Sequence, residues 1–168
     1  TGTYVISRYF LTFVPDMSEI VINKDILDRV HRQHFSKDTF LETDPCGLVY
    51  ELKEHTHRQL DIELGALFVA MITWGNRKAI KQAARKMLRD EMQWHPADFI
   101  LEGKYAQSYL NAKNECVYRT LNRNNFILVC KNIHKALLEE NCDESTKTLE
   151  KLFQGKTIED IIAILCQW

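Results

Sequence analysis

Apolar positions recur at helical spacing along most of the 168-residue chain. From Lys24 onward, Ile26, Leu27, Val30 and His34 share one face at about 100° per residue, with Asn23 placed as an N-cap. A turn at Ser36 is expected to start a brief helix through Phe40 and Leu41. Asp44-Pro45-Cys46-Gly47 reads as a turn, because Pro presets the first central dihedral and Gly tolerates a positive φ. The pattern changes over Leu60 to Thr73. There Leu60, Ile62, Leu64, Leu67, Phe68, Val69, Met71 and Ile72 do not gather into one stripe, which predicts a helix buried on nearly all sides at the centre of the core. Gly75 breaks this helix, and Asn76 is placed to cap the next, Arg77 to Met92, giving a helix–turn–helix corner. Pro96 suits the first turn of a helix over Pro96 to Glu102, closed by Gly103. A helix over Asn125 to Glu140 turns Phe126, Val129, Cys130, Ile133, Leu137 and Leu138 inward. Asp143 is placed to cap a helix running through Leu149, Leu152 and Phe153 to Gly155. Thr157 with Asp160 has the form of a capping box for a last helix carrying Ile158, Ile161, Ile162 and Leu165.

These elements predict an all-α fold: one compact multi-helix domain over residues 1–168, with a central buried helix and a helix–turn–helix corner. The opening Tyr4 to Val14, rich in β-branched and aromatic residues, reads as a short strand or extended arm. Composition agrees with a folded chain, since 45% of residues are hydrophobic and 27% charged. Six Gly and three Pro leave little room for the turns of an all-β fold. The apolar stretch Leu64 to Trp74 is too short to span a bilayer, so no membrane partner is expected. No basic-then-apolar leader with a small-residue cleavage site is present. Five cysteines, Cys46, Cys116, Cys130, Cys142 and Cys166, form an odd set without a C-x-x-C pair, which points to reduced thiols in a cytoplasmic protein. The start at Thr1 suggests a processed end. The last helix is still running at Trp168, which suggests the N-terminal part of a longer protein.

Charge adds the strongest local signal. Arg77, Lys78, Lys81, Arg85, Lys86 and Arg89 fall on one half of a helix that holds no acid over Asn76 to Arg89, while Ala79, Ile80, Ala83, Ala84, Met87 and Leu88 fall on the other. The chain has 22 basic and 23 acidic residues, so without these six the remainder has 16 against 23. Such a face suits a polyanion, because each phosphate neutralised releases a condensed counterion. The backbone N–H groups near Gly75, Asn76 and Arg77 add a phosphate-binding helix start. A solvated face balanced by acidic neighbours explains the same pattern equally well. Trp74 is either a core anchor or a stacking surface for a base, and Asn76 is a cap first and a ligand contact second.

A resemblance is carried by Asp61-Ile62-Glu63, then Ala70-Met71-Ile72-Thr73-Trp74-Gly75-Asn76-Arg77-Lys78, with Asp44-Pro45 upstream and His95-Pro96-Ala97-Asp98-Phe99-Ile100 downstream. These residues resemble an uncharacterised, mainly bacterial family of unknown function, whose members share a Trp-Gly-Asn-Arg-Lys signature after an acidic-then-apolar helix. The likeness runs from Phe40 to Phe126 and implies no activity by itself. More remotely, the apolar helix and its polar corner are similar to the entry helices of the helix–hairpin–helix DNA glycosylase superfamily. Ile72 to Asn76 would occupy that corner, with Trp74 and Gly75 in place of its paired glutamines. Nothing after Gly155 supplies the Gly-rich hairpin or the catalytic Asp of such enzymes, so the likeness implies DNA binding without their catalytic half.

Other chemistry has little support. His55, His57, Cys46 and Asp61 are of zinc-ligand type but lack a second tight pair, and His31 with His34 reads as a surface pair. There is no Gly-x-Ser-x-Gly elbow, phosphate loop or dinucleotide fingerprint, and no cofactor, metal or catalytic residue is assigned. Asp61 and Glu63 are expected in the first turn of the buried helix, complementing its dipole. Glu63, lying among apolar residues, would need a partner such as Arg77. Cys130 and Cys166 are expected to pack on apolar helix faces.

Two functions of different class follow. In the first, Arg77, Lys78, Lys81, Arg85 and Arg89 hold nucleic-acid phosphates, with Trp74, Gly75 and Asn76 near a base or sugar. In the second, a helical scaffold presents its cationic face to an acidic protein partner. A transcription regulator using the corner as a reading head fits less well, because Ala79, Ala83 and Met87 are needed for packing.

Overall fold

The computed structural model describes residues 24–34, 37–110, 116–140 and 146–166. The chain divides into two compact units, Thr1–Ser36 and Lys37–Trp168. In the first, the described element is α1 (Lys24–His34), on which Ile26 is half-buried while Leu27 and Val30 are exposed. The arm over Tyr4 to Val14, the Asn23 cap, the Ser36 turn and the His34 side chain lie outside the described residues.

Among the described residues the second unit is helical apart from one small hairpin, in keeping with the all-α pattern. Its elements are α2 (Lys37–Thr43), α3 (Gly47–His55), α4 (Gln59–Met71), α5 (Arg77–Arg85) with a π-helical extension (Lys86–Glu91), α6 (Pro96–Leu101) and α7 (Lys104–Leu110). Strands β1 (Cys116–Tyr118) and β2 (Leu121–Asn122) follow, then α8 (Arg123–Glu139), α9 (Leu149–Phe153) and α10 (Ile158–Leu165). The strands pair antiparallel, Tyr118 opposite Leu121, around the two-residue turn Arg119-Thr120.

α4 is the central helix. It packs against α3, α6 and α9, and Leu60, Leu64, Phe68 and Val69 are buried along it. Burying each contributes about 1.5–3 kcal/mol. Phe68 meets Phe126 of α8 edge to face at 5.2 Å, joining the two longest described helices. α8 also packs against α6, α7 and α10. It starts at Arg123, two residues before the expected Asn125, because Asn122 caps it by accepting from the Asn125 N–H at 2.8 Å. Phe126, Cys130, Ile133 and Leu137 point inward as expected. Leu138 does not, being 64% exposed, since it lies about 100° round from the buried stripe. On α10 the Thr157–Asp160 capping box is present, but Ile158 and Ile162 are exposed.

Several local expectations are corrected. Residues 47–55 form a helix directly after the Asp44–Gly47 turn, and His55 ends it. Gly47 does not need a positive φ; it needs space, because a Cβ there would run into the Leu41 carbonyl. α9 is capped by Thr148, whose hydroxyl accepts from Lys151 N–H; Asp143 lies outside the described residues. Cys130 is fully buried, and burial pushes its thiol far up from the usual range, whereas Cys166 is exposed rather than packed.

The buried carboxylate is Asp61, not Glu63. Asp61 is 2% exposed; its Oδ2 accepts from Thr56 Oγ1 at 2.8 Å and its Oδ1 from Ala97 N–H at 2.7 Å. It therefore joins the α3–α4 loop to the first turn of α6, where negative charge also complements the helix dipole. Glu63 accepts from Gln59 Nε2 at 2.9 Å and from the Leu149 N–H at the start of α9; Arg77 is not its partner.

Asp61→Ala should lower the unfolding free energy by about 3 kcal/mol, since it strands two buried donors. Asp98→Ala breaks a half-exposed pair with Arg58 and should cost less than about 1 kcal/mol. Urea unfolding of both variants checks this, and equal losses would show that Asp61 is not the tie described.

Candidate nucleic-acid interface

The corner forms as its sequence requires. Ile72 closes α4, Gly75 turns the chain at φ +105°, and the Asn76 side chain accepts from the Ala79 N–H at 3.1 Å. α5 then buries Ile80 and Ala84, with Ala83 half-buried. Ala79, expected on the packing side, is exposed because it sits in the first turn beyond the edge of the core.

Beyond Arg85 the winding changes. Ile80, Ala84, Met87 and Leu88 keep α-helical spacing, which would bring Glu91 inward next. The π extension widens the turn by one residue, so Met92 takes the inward place and Glu91 turns toward Arg123. Two parallel hydrogen bonds, 2.9 and 2.7 Å, join this carboxylate to the Arg123 guanidinium, which is 7% exposed. The extension ends with Gln93 and Trp94 both at positive φ, and Trp94 stacks on His55 at 4.5 Å.

All six predicted cations line one open groove of about 970 Å³: Arg77, Lys78, Lys81, Arg85, Lys86 and Arg89, with Gln82 and Asp90 beside them and Glu42 and Thr43 of α2 opposite. They are not equivalent. Lys81 Nζ donates to the Glu42 carbonyl. Arg85 makes a forked contact with Glu51 of α3, at 3.3 and 2.6 Å. Arg89 pairs with Asp90 at 2.7 Å. Arg77, Lys78 and Lys86 have no hydrogen-bond or ion-pair partner among the described residues. Asp44 lies near this end; its carboxyl is held below the usual range by the Cys46 N–H at 3.0 Å, helped by the charges of Arg77 and Lys81 and opposed by burial. The face is therefore partly neutralised from within, through Glu51, Asp90 and Asp44.

Trp74 is not a core anchor: it is 46% exposed. The Arg119 guanidinium of the hairpin turn lies over its ring, 4.7 Å from the centroid. Arg119 was not legible as a site residue, since it is distant in sequence and carries no motif. Its one sequence signal is a basic residue between two short β-prone runs.

Among the described residues, no group of three or more His, Cys, Asp and Glu side chains is arranged to hold a metal. His55 is engaged with Trp94 and Asp61 with Thr56 and Ala97. No described helix is long and apolar enough to cross a membrane.

A family model described as a protein of unknown function (DUF2400) matches residues 44–166, a span that holds the corner, the cationic helix and the hairpin. No curated protein and no solved structure matches the chain.

The internal pairing makes a prediction. Glu51→Gln releases Arg85 into the groove, so this variant should elute from a sulfated-polyanion column at higher salt than the unaltered chain. Earlier elution would show that Arg85 faces away from the bound polyanion.

Proposed function

We propose that this chain, which belongs to the DUF2400 family of proteins of unknown function, is a nucleic-acid-binding helical domain that holds phosphates in the groove along α5. The observation that carries this reading is the convergence of six cations on one open groove, three of them with no hydrogen-bond or ion-pair partner among the described residues. Arg77, Lys78 and Lys86 are the first phosphate contacts, because engaging them breaks no internal pair. Lys81 adds charge from its place against α2. Arg85 and Arg89 contribute less, since a phosphate must compete with Glu51 and Asp90 for them.

The same proposal includes a remote kinship with base-excision glycosylases, with a place in bacterial, cytoplasmic DNA repair. It is supported by the apolar α4, the polar corner and the basic α5 in that order. No catalytic residue is proposed in this chain.

One observation favours the second reading, a scaffold for an acidic protein partner: the groove's own arginines already take the carboxylates of Glu51 and Asp90. Salt and polymer dependence separate the two. Three to four phosphate contacts predict a log–log slope of about −3 for duplex DNA. Anisotropy of labelled DNA across a salt series should give that slope. The combined variant Arg77→Glu, Lys78→Glu and Lys86→Glu should abolish binding. Absence of DNA binding at about 50 mM salt, where such contacts are strong, together with saturable binding of polyglutamate, would establish the scaffold instead.

A further inference from the structure

We infer that the groove takes single-stranded nucleic acid, and that an unpaired base of the strand stacks on Trp74 where Arg119 holds the indole in place. This rests on the nucleic-acid reading above and adds to it a base-contacting platform and a strand class.

The platform is assembled from two distant parts of the chain. Trp74 stands at the entrance to α5, three residues before Arg77, the first cation of the groove. Arg119 occupies the first position of the two-residue hairpin turn. Its guanidinium carbon is 4.7 Å from the Trp74 ring centroid and 5.9 Å from that of Tyr118. The same group lies flat against Gly75: a Cβ at residue 75 would sit 2.7 Å from Cζ and 3.0 Å from each terminal nitrogen. Gly75 thus leaves a slot that the guanidinium fills, and the cation faces the π-cloud of the indole.

Three features point to a ligand. First, one side of the indole is covered by Arg119, yet the residue is still 46% exposed, so the remaining surface opens to solvent. Second, no described residue accepts a hydrogen bond from the Arg119 guanidinium, which leaves donors for a phosphate next to those held by Arg77 and Lys78. Third, Arg119 has φ +50° at a turn position that Gly usually fills. A strained backbone at a residue whose side chain clamps an exposed aromatic is a pattern found at ligand sites.

The ring selects the strand class. Bases in a duplex offer only their edges to a protein, whereas an unpaired base offers the flat face that an indole stacks on. A cationic track beside an exposed aromatic is the arrangement by which single strands are held without sequence preference.

The test compares two strands of equal charge, a thymidine oligonucleotide of about 12 residues and its abasic counterpart, with the full chain at one salt concentration. The thymidine strand should bind about tenfold tighter, as one stacked base supplies, and should also bind more tightly than a duplex of the same length. Trp74→Ala should bring the thymidine and abasic strands to parity, Trp74→Phe should keep part of the difference, and Arg119→Ala should reduce it. If Trp74→Ala fails to fold, the strand comparison on the unaltered chain still decides. Equal binding of thymidine and abasic strands, or a preference for duplex, overturns the stacking inference and leaves the phosphate groove standing. No binding of any of the three overturns both.

Discussion

The paired contact between Glu91 and Arg123 is the constraint around which the interface is arranged. Two charges withdrawn from water are costly unless they are paired, and the forked contact at 2.7 and 2.9 Å pairs them. Glu91 must then face α8, and an uninterrupted α-helix from Arg77 would have aimed it into the apolar core. The π extension resolves that conflict. Met87, Leu88 and Met92 stay in the core, the carboxylate reaches α8, and Lys86 and Arg89 keep to the groove side. The position of the cationic surface therefore follows from a buried pair on the opposite side of the same helix.

The groove's own charges have a divided role. Lys81 and Arg85 tie α5 to the end of α2 and to α3, so two of the six cations that face a polyanion also hold neighbouring helices. This division explains why the chain's near-neutral net charge of −1 is compatible with a local cationic track. The acids are not spread evenly: Glu51 and Asp90 pair with Arg85 and Arg89, and Arg77, Lys78 and Lys86 are left with no hydrogen-bond or ion-pair partner among the described residues.

Much of this was legible in the sequence. Gly75 and Asn76 mark the corner because only a few residue types serve a positive φ or an N-cap, and Thr157 with Asp160 marks α10 in the same way. The absence of a stripe in α4 announced its central place. What escaped the sequence depended on distant partners. Asp61 and Glu63 look alike in a first turn; Thr56 and Ala97 decide that Asp61 is the buried one. The π turn is invisible to a 3.6-residue periodicity until Arg123 is known to face Glu91. Trp74 at a helix end suited the core, and only Arg119, from a hairpin that the sequence did not announce, shows how an exposed indole is held. The groove's cations were all found in advance, but not which of them were already paired.

The slot at Gly75 also bears on how such chains diverge. A side chain at residue 75 would displace the Arg119 guanidinium, and a shorter residue at 119 would leave the gap beside Gly75 empty. Neither position is free to drift alone. Across descendants of this sequence the two should be inherited as a correlated pair, changing together or not at all, although 44 positions separate them.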